Sequence, residues 1–366
     1  MDDDERRARL GVRQALAIKQ ASPEAVAEAV VGLHATEPAS VYLAAWARAE
    51  RLQVEDVDRA LYRDRTLVKQ LAMRRTLFVF PRSRLGAVWG SASARVAANE
   101  RARMAREVVA AGIDGDGQGW LERARAAILA VLDAHPEGLT AAEIRVAVPM
   151  IDVRVTVTPT DPWSSSRLLT WLGAAAEIVR GENTAARQRW TLTRNWVPEE
   201  PREGGYRELV EAWLRAFGPG TEDDIVWWLG ATKTVVRKAL AELDAVQVSL
   251  DNDDTGEVGD PGPWVALLPV LDPTVMGWRD RDFYLGPHQA QIVDGRGNAG
   301  TTAWADGRVV GCWTQDDAGV VRVHLLRDVP RKRLDEEAER LTAWSAGFRV
   351  PTAYRSPAMR AGRFPA

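Results

Sequence analysis

Twice along this chain an amphipathic helix halts at a proline–glycine turn and restarts behind a threonine, a rhythm that few small folds accept. In residues 121–149 a helix over Ala124–Ala134 is expected to stop at His135-Pro136-Glu137-Gly138, and Thr140 stands three residues before Glu143. A hydroxyl that takes the amide of the third helical residue, answered by a carboxylate reaching back, is a capping box and opens a second helix. In residues 205–250 the helix Tyr206–Phe217 stops at Gly218-Pro219-Gly220, and Thr221 precedes Asp224 with the same spacing. Each pair leads into a third helix, Ser164–Leu172 in one case and Lys233–Leu243 in the other. β-like sequence follows both: Glu177–Thr193, two short strands about Gly181-Glu182-Asn183, and Val246–Leu250.

Helix–turn–helix with a β-hairpin wing is the winged-helix plan, and residues 8–80 fit a looser copy of it. Helices are expected near Leu10–Lys19, Pro23–Leu33, Ala39–Ala47, Val54–Leu61 and Lys69–Met73, before a strand at Thr76–Phe80. Residues 83–111 read as a basic connecting helix. From about residue 256 the texture changes to short strands, at Trp264–Pro269, Ala299–Ala305, Arg308–Thr314 and Val320–Leu326, closed by a helix at Arg331–Ala346. The expected fold is therefore α+β. Three tandem winged-helix units (8–111 with its connecting helix, 120–200 and 205–255) precede a small β-barrel-like domain with a basic tail (256–366). Trp46, Trp171, Trp213, Trp227 and Trp228, among fifteen tryptophans, sit at helical core spacings, and packing is their expected role.

Composition removes several function classes. With 46% hydrophobic and 27% charged residues over 366 positions the chain is ordinary globular protein. No run approaches the roughly 18 uncharged residues of a membrane span, and Met1-Asp2-Asp3-Asp4-Glu5 holds no apolar leader, so a soluble, cytoplasmic chain is expected. A lone Cys312 excludes an intramolecular disulfide and a cysteine-based zinc site. His34, His135, His288 and His324 show no ligand spacing, so neither metal nor cofactor is expected. The net charge is −3, but its distribution is uneven. Residues 64–107 carry ten Lys/Arg against three acids, residues 349–366 carry four arginines and no acid, and acids crowd 251–260. Such segregation gives an acidic protein a cationic face able to hold phosphates, or simply solvated helix faces.

Several segments resemble one family. Val31-Gly-Leu-His-Ala-Thr36 with Pro38, Val41-Tyr-Leu-Ala-Ala-Trp-Ala-Arg48, Arg65-Thr-Leu-Val-Lys69 and Met73-Arg-Arg-Thr-Leu-Phe78 are similar to the first block of the winged-helix DNA glycosylase superfamily of AlkZ and YcaQ. Trp163-Ser-Ser-Ser-Arg167, Leu267-Leu-Pro269 with Asp272 and Gly277-Trp-Arg-Asp-Arg281, and Asp306-Gly-Arg-Val-Val-Gly-Cys-Trp313 resemble its later blocks. The resemblance spans about 8–325 in order. It implies three winged helices and a β-barrel around a DNA channel, and excision of alkylated purines, bulky adducts included. The family's catalytic signature is Gln–x–Gln or Gln–x–Asp. The matching positions here read His34–Ala35–Thr36, so that chemistry does not transfer unaltered.

An N-alkylated purine is already cationic and leaves with little acid assistance. The enzyme then has to place water and stabilise a positive sugar. His34 can hold or deprotonate the water, Thr36 can hydrogen-bond it, and Glu37 is a further general base. The plainer readings are that Thr36 caps the next helix ahead of Pro38 and that Glu37 favours the helix dipole. For DNA, Arg65 and Lys69, read as one helix face, join Arg74 and Arg75. Ser164, Ser165 and Ser166 open a helix whose amides suit a phosphate or merely cap it, with Arg167 adjacent. Arg187 and Arg189 form a wing suited to the minor groove. Trp278-Arg-Asp-Arg281 reads as an internal ion-pair cluster pinning the β domain against the helices, and Arg355, Arg360 and Arg363 as a tail reaching DNA.

The leading expectation is a monofunctional DNA glycosylase for alkylated or bulky-adduct purines in duplex DNA, in base-excision repair or in self-resistance to alkylating natural products. It is expected to be monomeric and nucleoid-associated. A non-catalytic winged-helix DNA-binding protein, as regulator or damage sensor, is the alternative, with a protein–protein scaffold third.

Overall fold

The computed structural model describes residues 2–361 apart from 156–163, 184–186, 203, 249–258, 260 and 351. The chain divides into two compact units, one of residues 1–58 with 209–366, the other of residues 59–208. Both mix α-helices with small antiparallel sheets.

In the 59–208 unit, strands Leu67–Leu71 and Leu77–Pro81 form an antiparallel hairpin with Lys69 opposite Val79. The helix expected at Lys69–Met73 is thus a strand instead. The reason lies in burial on both faces: Leu67, Val68 and Gln70 are all buried, and so are Phe78, Val79 and Phe80 across from them. A short run buried on both sides carries no helical periodicity to betray it. The basic connector is helical from Leu85 to Ala110, and its last part packs on the helix Gly117–Asp133. A Cβ at position 117 would lie 2.0 Å from the Ala105 carbonyl oxygen, so glycine there lets the two helices meet.

The first capping rhythm folds as expected. The helix Gly117–Asp133 ends at a turn where Gly138 takes φ +80°. Thr140 and Glu143 make a reciprocal capping box before the helix Ala141–Ala147. The helix Ser165–Ala174 and the strands Ile178–Arg180 and Arg189–Leu192 follow, the last strand pairing also with Leu139–Thr140. One core of Leu121, Ile128, Ile144, Leu168, Leu172 and Trp190 unites these elements. Trp163 and Pro162 lie outside the described residues.

In the other unit the second rhythm also holds: Gly205–Phe217, then Glu222–Leu229 behind a Thr221–Asp224 capping box, then Lys233–Glu242 behind Thr232. The strand expected at Val246–Leu250 is not found at 246–248, and 249–250 lie outside the described residues, as does most of the acidic stretch 251–260. The N-terminal helix runs Asp3–Arg13, earlier than expected, because Asp2 caps it and Gln14 ends it. Helices Pro23–Ala29, Pro38–Trp46 and Val54–Asp58 follow.

The β region is an antiparallel meander of Val265–Leu268, Thr302–Ala305, Arg308–Gln315 and Val321–Leu325. Its two outer strands both pack against the helix Lys332–Ser345. The hydrogen-bonded order is that of an open sheet among the described residues. Of the five tryptophans expected in the core, Trp46, Trp171, Trp213 and Trp228 are buried, while Trp227 is only partly buried. The 278–281 segment is pinned mainly by hydrogen bonds to backbone groups rather than by ion pairs: Asp224 accepts the amides of Arg279 and Asp280, Arg281, itself buried, donates to Trp278 and Gly297 carbonyls, and Arg279 lies 3.4 Å from Asp223.

Candidate active site and nucleic-acid interface

Leu33–His34 is extended, and Pro38 opens the helix Pro38–Trp46 two residues after Thr36. Thr36 is exposed and does not cap that helix. Glu37 occupies the cap position, yet its side chain turns away from the helix amides. Glu37 Oε1 accepts the Ala353 amide at 2.6 Å, while Oε2 is shielded from solvent and has no hydrogen-bond partner among the described residues. A buried carboxylate oxygen left bare is uncommon and asks for a ligand or a water. His34 is 5% exposed, and the Thr36 amide points at its Nδ1 from a long 3.5 Å. That contact favours the tautomer with the proton on Nε2.

Beside this turn lies an open cleft of about 780 Å³, within the size range of small-ligand sites. Glu37, Ser40, Trp313, Gln315, Arg355 and Met359 are among its walls. His34 and Thr36 adjoin it through the chain without lining it.

The helix that carries Glu37 is tied down at both ends. Ser40 Oγ donates to the Val270 carbonyl at 3.0 Å. At the far end Arg48 forms a two-pronged pair with Asp272, at 2.9 and 2.6 Å, both side chains fully buried. Arg48 also donates to Thr274 Oγ1 and to the Gln14 and Ala44 carbonyls, and Thr274 hydrogen-bonds the Gln14 side chain. Every donor prong is met, as a buried guanidinium requires.

Among the described residues no lysine lines the cleft. Lys19 donates to the Ala47 carbonyl at 2.6 Å, and burial carries its pKa from 10.5 down to about 8. Between those values the unfolded chain holds the proton and the folded chain does not, so this group makes stability rise with pH. The rise amounts to roughly 3 kcal/mol across pH 8 to 10.5. Lys19→Met should flatten it, read from urea midpoints in a pH series, and an unchanged slope would refute the assignment. Cys312 is buried and its thiol is pushed up to about 12, so it offers no thiolate near neutrality. Among the described residues no cluster of three His, Cys, Asp or Glu could hold a metal, and no helix is long and apolar enough to cross a membrane.

The basic candidates fall in the 59–208 unit. Arg65, at φ +54°, precedes the hairpin, so it shares no helix face with Lys69. It stacks 4.0 Å over Trp196 and donates to the Asn195 and Trp196 carbonyls. Lys69 donates to the Tyr62 hydroxyl at 2.6 Å. Arg74 and Arg75 both have positive φ, and Arg75 pairs with Glu100 at 2.7 Å. Arg167 is 7% exposed and bound to Glu100 and Glu107 at 2.8 and 3.2 Å. Its charge is thus spent inside the unit, as a brace between two helices. Ser165 is buried. Ser164 holds the cap position without capping, its hydroxyl 3.2 Å from that of Ser166. Arg189 donates to the Glu137 and Gly138 carbonyls, leaving Arg187 as the exposed cation of the wing.

Tyr62 and Trp196 lie against these cations and escape a reading by charge alone. Arg180 lies 4.9 Å over Trp190, with its pKa lowered by burial. In the tail, Arg355 faces the cleft, Arg360 is exposed, and Arg363 lies outside the described residues.

Glu37 thus stands on the wall of a roomy cleft in one unit, and the other unit carries stacked and exposed arginines. The family model described as DNA glycosylase AlkZ-like matches residues 27–344, and the chain belongs to that family of DNA glycosylases. Its structure is similar to that of the Streptomyces sahachiroi DNA glycosylase AlkZ, with a TM-score of 0.72 over 96% of this chain and 98% of that one. Sequence identity there is 20%, so the likeness speaks for the fold. No curated protein matches the chain.

Proposed function

We propose that this DNA glycosylase is monofunctional and hydrolyses the N-glycosidic bond of alkylated or bulky-adduct purines in duplex DNA, with Glu37 as the general base. The observation that carries the reading is the Glu37 carboxylate, with one oxygen held by Ala353 and the other bare, at the wall of a 780 Å³ cleft. Oε2 is shielded in the free protein; once damaged DNA is bound, a water taken up there attacks C1′ as the C1′–N bond breaks. The bond's electron pair neutralises the cationic purine, and the water's proton passes to Glu37. The ionised carboxylate also faces the positive charge that develops on the sugar. His34, donating from Nε2, and the Thr36 hydroxyl orient water or a flanking phosphate, in place of the glutamines of the Gln–x–Gln signature. Water serves as nucleophile, and no lysine lines the cleft among the described residues.

Duplex DNA is held by Arg65, Lys69, Arg74, Arg75, Arg187 and Arg189, with the Ser164–Ser166 helix start as a phosphate seat. The buried pairing of Arg167 and the burial of Ser165 give these two a supporting part. The protein acts as a monomer at the nucleoid, in repair or in self-protection against alkylating natural products.

The experiment is incubation of the wild-type protein and His34→Ala with duplex DNA bearing an N-alkylated purine. Free base released by the wild type and lost in the variant supports the reading. Tight lesion binding without base release would replace it with the damage-sensor alternative.

A further inference from the structure

The cleft has a wall drawn from the far end of the chain. The described residues from 348 to 361 run along it as a strap fastened at both ends. At the near end Gln315 clamps it: its Nε2 donates to the Phe348 carbonyl at 2.9 Å, and its Oε1 accepts the Val350 amide at 2.8 Å. At the far end Ser356, Ala358 and Met359 are buried. The Thr301 amide lies 3.3 Å from the Met359 sulfur, and a Cβ at position 300 would come within 2.7 Å of both Ser356 and Met359. Glycine at 300 is what lets the strap close down there. Between these anchors the Ala353 amide reaches Glu37 Oε1 at 2.6 Å, and Arg355 faces the cleft.

We propose that the strap is a working part of the site and that the Ala353 amide is the positioning group for Glu37. This rests on the reading of Glu37 as the base. A free glutamate side chain rotates about three bonds and presents either oxygen in many directions. A short charge-assisted hydrogen bond from a backbone anchored on both sides fixes one oxygen. The other is then held to a single place, without a competing donor. Orientation of a base relative to its water is where large rate factors reside. The pairing also gives the strap a reason to lie where it does: its backbone, rather than any side chain of its own, is what the carboxylate needs.

The test is a double-mutant cycle in the full-length protein with a second, activity-independent readout. Ala353→Pro deletes the N–H, Ala353→Gly keeps it, and Glu37→Ala removes the acceptor. Ala353→Pro should lower kcat for base release at least tenfold with KM changed less than about twofold, Ala353→Gly, which keeps the N–H, should lose several-fold less than Ala353→Pro, and Ala353→Pro should have no further effect in the Glu37→Ala background. Full kcat in a folded Ala353→Pro protein, or losses that simply multiply, would overturn the proposal. Hydrogen–deuterium exchange of the peptide spanning 352–356 gives the independent readout. Exchange several-fold faster in Glu37→Ala supports the contact, and unchanged exchange sinks it whether or not the variants fold equally well. Should the wild type release no base while exchange responds to Glu37, the general-base reading falls and the strap–carboxylate contact stands.

Discussion

Glu37→Gln should slow release of an alkylated purine by about 10²- to 10⁴-fold, the range that a positioned general base contributes. The amide is nearly isosteric and keeps an oxygen for the Ala353 N–H, so the strap stays in place. What is lost is the negative charge and the ability to take the water's proton. Affinity for the damaged duplex should change little, since the cations proposed to hold DNA lie in the 59–208 unit. Single-turnover rates with saturating enzyme separate the two effects. A wild-type rate in Glu37→Gln would end the general-base assignment, and an equal loss of rate and affinity would make Glu37 a DNA contact. His34→Ala should cost less than Glu37→Gln, because its ring acts by donating a hydrogen bond.

Arg48→Ala should destabilise the protein by about 3–5 kcal/mol, because it strands the fully buried Asp272 carboxylate without its partner. Removing both charges is a different experiment. Arg48→Met with Asp272→Leu should recover most of that loss, since apolar side chains of similar volume avoid the desolvation cost altogether. The exposed pair Arg194–Asp133, with side chains 66% and 62% exposed, is the control, and Arg194→Ala should cost under about 1 kcal/mol. Urea midpoints at fixed pH measure all three. If Arg48→Ala costs no more than the control, the cluster of Gln14, Arg48, Asp272 and Thr274 does not hold the Glu37 helix in place. The destabilised variant should also lose base release below its melting temperature, since the helix that loses its anchor carries the base.

The difference between what was legible in the sequence and what was not follows the distance over which each interaction works. Both capping boxes are three-residue events, and both were readable from Thr140–Glu143 and Thr221–Asp224 alone. Of the hairpin at residues 67–81, the second strand was readable at Thr76–Phe80, whereas the first was missed because it is buried on both faces and shows no alternation. The block His34–Ala35–Thr36–Glu37 was locatable by family resemblance, yet which residue faces the cleft was not. A Thr before Glu-Pro reads as the helix cap, whereas the chain puts Glu37 in that position and draws its carboxylate away to an amide 316 residues on. Arg48 and Asp272 are 224 residues apart, and no local pattern joins them. Among the basic residues, composition gave the charges but not their partners. Arg167 looks like a phosphate ligand beside three serines until Glu100 and Glu107 are seen against it.

Cys312 has one more consequence for a DNA glycosylase. Soft electrophiles react with thiolates far faster than with thiols, and they need a path to the sulfur. The chain has one cysteine; it is fully buried on a central strand of the meander, with its proton held to about pH 12. A reagent that attacks DNA therefore finds no ready thiolate at Cys312, and the protein can work in the presence of the agent without being inactivated through that thiol.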